Sequence, residues 1–219
     1  TTGSYNTAVG KNALDANTTA NNGTAVGRAA LTTNTTGANN TAIGMSALEG
    51  NTTGSESCAV GYRALTTQTG VGEVNNALGT DALRLTTTGQ ANNAMGHSAL
   101  ENNTTASYNT AMGHRSMAFN TTAVGNTAVG AYSLYDTTTG QYNTATGYQS
   151  LYTNTTGQQN VSMGQETLYY NTTGSYNTAL GRQAGTYSTA LTTGSGNTLV
   201  GAYSHTSSAS AAYANGIGY

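Results

Sequence analysis

A glycine recurs every 17 residues along this chain, at Gly10, Gly27, Gly44 and Gly61, then after one extra residue at Gly79, Gly96, Gly113, Gly130, Gly147, Gly164 and Gly181. Gly201 follows a three-residue insertion and Gly218 restores the step, which makes 13 copies. Self-similarity at so short a period means that each copy is one small unit that buries its apolar side chains only against its neighbours. The consensus reads N-T-T-G-x-x-N-T-A-φ-G-x-x-A-L-x-x, with φ aliphatic or Met. Counting from the Asn of N-T-T, the marker glycine is position 11.

Each column then has a character. Position 10 is apolar, from Val9, Val26 and Ile43 to Val200 and Ile217, and position 15 is Leu or Met from Leu14 to Leu168 before failing at Gly185 and His205. Positions 9 and 14 are almost always Ala or Ser, and position 7 is Asn in ten copies, among them Asn40, Asn75, Asn143 and Asn160. Helices are excluded, because no more than about six residues separate one Gly, Asn-Thr or Thr-Thr breaker from the next. The pattern predicts an all-β chain: a β-solenoid, as a parallel β-roll or β-helix, of about thirteen 17-residue coils. The short pieces T-A-V and A-L-x are its expected strands. Stacking at about 4.8 Å per coil gives a rod of about 60 Å. Position 11, and with it the glycine of position 4, is expected to supply positive φ or room for a neighbouring backbone. Stacked Asn at position 7 is expected to form an amide ladder.

Composition supports order of an unusual kind. Only 6% of residues are charged, against about a quarter in an average globular protein, and Thr with Asn makes up about a third. A chain so poor in charge is not of the usual disordered type either. Six basic residues spread from Lys11 to Arg182 leave no patch for nucleic acid. No apolar stretch approaches the roughly 18 residues of a membrane span, so no membrane insertion is expected of this segment. The domain expectation is one repeat domain over 1–219, with regular coils over 1–184, an irregular insertion over 185–197 and last coils over 198–219. Because Thr1-Thr2-Gly3 repeats the tail of the N-T-T-G phrase, the segment reads as a piece of a longer fibre protein.

Two large apolar side chains in 17 residues make a thin core, which cannot by itself offset the cost of ordering the coil. Positions 9 and 10 point to opposite faces of a strand. Small Ala is therefore expected inside and the aliphatic residue outside, packed against other chains. The favoured assembly is a homotrimer, and a single-chain solenoid is the alternative.

The phrases N-T-A-V-G-x-x-A-L at Asn6 to Leu14 and A-S-A-A-Y-A-N-G-I-G at Ala209 to Gly218 resemble the head repeats of trimeric autotransporter adhesins. The N-T-A-φ-G repeat is more similar still to repeats of phage-type tail-fibre proteins. The resemblance implies a homotrimer, an extracellular place on a virion or cell surface, and a structural role as shaft or head. Such a fibre positions a receptor-binding tip for host attachment, with a cell-surface glycan or protein as receptor. A bacterial surface adhesin is the alternative, and an ice-binding solenoid, suggested by the Thr columns, a lesser one.

No catalytic, cofactor-binding or metal residue is assigned. His97 and His114 share position 12 in neighbouring copies, but two histidines without Cys, Asp or H-x-H company read as a surface pair. Cys58 replaces the Thr of position 8 and reads as a structural thiol. Asp15, Glu49 and Glu101 share position 16 but skip coils, and Asp81 and Glu166 share position 13 far apart, so no carboxylate pair of the glycosidase kind is expected. Tyr5, Tyr108, Tyr142 and Tyr176 at position 6, and Tyr135, Tyr152 and Tyr169 at position 16, fit either sugar stacking or stacking between coils. Asn17, Asn34, Asn51, Asn103, Asn120, Asn154 and Asn171 each open an N-T-T sequon but serve equally as turn residues.

Overall fold

The computed structural model describes residues 2–70, 74–186 and 190–218. Residues 71–73 lie outside them, as do residues 187–189 of the expected insertion, Thr1 and Tyr219. Thirteen strands of three residues occur among the described residues, one per repeat. The chain divides into two units, Thr1–Tyr108 and Asn109–Tyr219.

The first unit holds β1 (Thr7–Val9), β2 (Thr24–Val26), β3 (Thr41–Ile43), β4 (Cys58–Val60), β5 (Asn76–Leu78) and β6 (Asn93–Met95). Each pairs in parallel with the next, equivalent residue on equivalent residue, as in Thr24↔Thr41, Ala25↔Ala42 and Val26↔Ile43. The second unit holds β7 (Thr110–Met112), β8 (Thr127–Val129), β9 (Thr144–Thr146), β10 (Val161–Met163), β11 (Thr178–Leu180), β12 (Thr198–Val200) and β13 (Asn215–Ile217), paired in the same way. This is the expected parallel β-solenoid with a 17-residue step.

The A-L-x piece is not a second strand. Positions 13 and 15 lie in the left-handed region, at φ 59° for Ala29 and 50° for Leu31, and again at 54° for Gln149 and 52° for Leu151. Those conformations bend the chain through tight turns, closed by Ala30 N–H donating to Gly27 O at 3.3 Å and Asn34 N–H to Leu31 O at 3.2 Å. Stacking of coils makes the bend affordable, since the intervening donors still find partners above and below. Ala29 N–H donates to Lys11 O (2.9 Å), Leu31 N–H to Ala47 O (3.0 Å) and Thr33 N–H to Glu49 O (3.2 Å). The ladder thus runs well beyond the three strand residues.

The core is as thin as expected. Ala25, Ala42 and Ala59 of position 9, and Leu31, Leu48, Leu65, Leu134, Leu151 and Leu168 of position 15, are fully buried. Position 10 faces out, as expected, so the regular coils from Leu31 to Leu168 each bury one large apolar side chain at position 15; Leu78, Met95 and Met163 are each nearly half exposed. At Ser133 and Ser150 of position 14 the hydroxyl is satisfied inside, donating to Ala145 O at 3.1 Å and to Ser162 O at 3.2 Å, whereas Ser204 Oγ in the same column is buried without a hydrogen-bond partner among the described residues. Where column 15 fails at Gly185, buried Leu191 and Leu199 supply bulk: a Cβ on Gly185 would lie 2.6 Å from Leu168 Cδ2 and 3.1 Å from Leu199 Cδ1.

The two glycine columns differ. Gly113 has φ 140°, where side chains are rarely tolerated, and a Cβ there would also meet Gly130 O at 2.5 Å. Position 4 glycines such as Gly54 and Gly174 lack positive φ and serve the other purpose, close approach of the next coil's backbone.

Candidate functional site

Two amide ladders run inside the coils. At position 7, as expected, Asn143 Nδ2 donates to Asn126 Oδ1 (3.2 Å) and Gly157 O (2.9 Å), while Asn143 N–H donates to Asn126 Oδ1 (2.7 Å). The second ladder, at position 1, is one the sequence reading missed. Asn51 Nδ2 donates to Asn34 Oδ1 and to Gly54 O, both at 2.9 Å, and Gly54 N–H donates back to Asn51 Oδ1 at 3.1 Å. Gln68, in that column at the one-residue insertion, keeps the amide chemistry with a longer reach, donating to Ser57 Oγ (3.0 Å) and accepting from Asn75 Nδ2 (3.1 Å). Consequently the sequon residues Asn34, Asn51, Asn103, Asn120, Asn154 and Asn171 are buried, and each donates its Nδ2 to the carbonyl three residues on. The folded coil does not offer those nitrogens for glycosylation.

On the turn stretch of the second unit, positions 12–17, eight rings join. Tyr135 stacks on Tyr152 at 5.0 Å and 16°, and Tyr152 on Tyr169 at 4.9 Å and 1°. Phe119 meets Tyr135 edge-on at 5.0 Å, Tyr170 meets Tyr169 at 4.7 Å, and Tyr132 touches His114, Tyr135, Tyr148 and Tyr152. Of the two readings of position 16, stacking between coils is the one realised. Phe119, Tyr148 and Tyr170 are each close to half exposed. Burial pushes up the phenols of Tyr152 and Tyr169, with help from the Asp136 charge, and burial pushes up the Asp136 carboxyl itself. Glu166 is held below the usual carboxylate range by hydrogen bonds from the Gln183 and Gln165 side chains.

The same stretch of the first unit carries charges instead. Arg63 pairs with Asp81 at 2.8 Å, and Arg84 reaches Glu101 at 2.7 Å and Asp81 at 3.7 Å. Two carboxylates are therefore brought around one guanidinium, a juxtaposition the sequence reading did not anticipate. Both are held in ion pairs, so neither is placed as a general acid beside a free base.

The remaining candidates disperse. Tyr5, Tyr108, Tyr142 and Tyr176 of position 6 are strongly exposed, on residues with φ near 60°. His97 lies in the first unit and His114 in the second. Cys58 is a free, half-buried thiol in β4. Among the described residues no group of three or more His, Cys, Asp or Glu could hold a metal ion, and no helix is long and apolar enough to cross a membrane. Position 8 shares the outer strand face with position 10, but Cys58, Asn76, Asn93, Val161 and Asn215 interrupt its Thr column.

Fold and columns together define a β-solenoid repeat protein. The chain matches no protein-family model, no curated protein and no solved structure.

Proposed function

We propose that this chain is a shaft or head segment of an extracellular homotrimeric fibre, of the phage tail-fibre kind, which holds a receptor-binding tip away from its base. The observation that carries the reading is the outward column at position 10. Ile43, Leu78, Met95, Met112, Val129 and Met163 are each between 36% and 48% exposed, beside a fully buried Ala in most coils. A coil with one large buried side chain gains most by covering that column with further copies of itself. In-register repetition suits a mechanical role, and the motif resemblance points the same way. A bacterial surface adhesin would use the same segment similarly.

Size exclusion coupled to light scattering tests the assembly. The expected result is three times the chain mass of 22.1 kDa, falling to one chain in the Met95→Lys, Met163→Lys double variant with its circular dichroism retained. A 22.1 kDa particle at micromolar concentration would remove the trimer.

A further inference from the structure

We propose that the aromatic wall of the second unit binds a neutral polysaccharide chain. This goes beyond a shaft function, which requires nothing to bind along the fibre.

The wall is built as a rigid platform. Tyr135, Tyr152 and Tyr169 are locked by mutual stacking; Phe119 packs on Tyr135, Tyr170 on Tyr169 and Tyr148 on Tyr132, and these outer rings are exposed by 45%, 49% and 47%. Tyrosine offers a flat apolar face and a hydroxyl with few rotors to freeze, so binding costs little ordering entropy. Pyranose rings need that combination, because their C–H faces are flat and apolar while their edges are hydroxyls. The same turn stretches supply the polar complement, with Gln149, Gln165 and Gln183 at positions 12 and 13 and Asp136 beside the stack.

Charge narrows the ligand. The second unit holds Arg115 and Arg182 against Asp136 and Glu166, which is formal neutrality, so neither a polyanion nor a polycation is favoured. Spacing points to a chain and not a single sugar. The exposed rings fall in separate coils, Tyr148 two repeats and Tyr170 three repeats beyond Phe119, so about 14 Å of ligand is needed to span them. The wall occupies positions 12–17, distinct from the strand column assigned to self-association.

Affinity electrophoresis of the full chain through gels containing dextran, galactomannan, hydroxyethylcellulose or a soluble β-glucan, with alginate as polyanion control, tests the proposal. Retardation by at least one neutral polymer is expected, weakened about tenfold or more in Tyr148→Ala, Tyr170→Ala and unchanged in Tyr5→Ala. No retardation in any neutral gel, retardation by alginate alone, or retention unaffected by the double substitution would overturn it. So would a fall in oligomeric mass of that variant, which would make the wall a contact between copies. The trimer is read separately through Met95 and Met163, so either idea can fail without the other.

Discussion

Asn160 hangs two hydrogen bonds on one atom of Asn143: its Nδ2 and its backbone N–H both donate to Asn143 Oδ1, each at 3.0 Å. Its Nδ2 also donates to Gly174 O at 2.9 Å, so a single amide ties three successive coils. Asn160→Asp keeps the shape and removes both side-chain donations while burying a charge. The expected cost is about 2–5 kcal/mol at neutral pH, measured by urea unfolding. Asn160→Ala, which leaves the acceptors unpaired but adds no charge, should cost less.

The glycine columns should respond differently to the same change. Gly113→Ala must bear both a φ of 140° and a backbone contact, and is expected to lose about 2 kcal/mol or more in a thermal melt. Gly174→Ala meets only crowding, at a position where Ala106 and Ala123 are already accommodated, and should lose less.

At Leu151 the branch point matters more than volume. Leu151→Ile conserves size, a swap that ordinarily costs under about 1.5 kcal/mol, but it places a β-branched residue at φ 52° in a fully buried site. Its melting temperature should fall about as far as that of Leu151→Ala, which loses core for about 2–5 kcal/mol.

Much of this was legible from columns. Ala at position 9, Leu at position 15 and Asn at position 7 announce inward positions, because a 17-residue step puts identical residues in contact. What periodicity does not encode is φ. Nothing in A-L-x distinguishes a strand from the left-handed turn that Leu31 and Leu151 adopt, since the inter-coil hydrogen bonds that permit it are tertiary. The ladder at position 1 was hidden because Asn in N-T-T also suits a turn; the amide Gln68 in that column was the available signal. The Arg63–Asp81 and Arg84–Glu101 pairs are legible in principle, each joining opposite charges in one column of neighbouring coils.

Alkaline pH should weaken the aromatic wall. The phenols of Tyr152 and Tyr169 are raised in the folded chain, so their contribution is fully present below the ordinary tyrosine value of about 10 and is lost as pH rises through the folded value. Melting temperatures from pH 8 to above 11 should fall, and Tyr152→Phe should fall less steeply, because one of the shifted phenols is gone.

The 17-residue coil itself is tested most directly by paired deletions. Removing residues 34–50 takes out one full period and joins Thr33 to Asn51, which leaves every column of the first unit in register. Removing only residues 34–44 sets polar side chains above Ala and Leu columns and breaks both amide ladders. Far-ultraviolet circular dichroism and thermal melting should give a cooperative, native-like transition for the first deletion and none for the second. Equal tolerance of the two would contradict the coil and the in-register columns that rest on it.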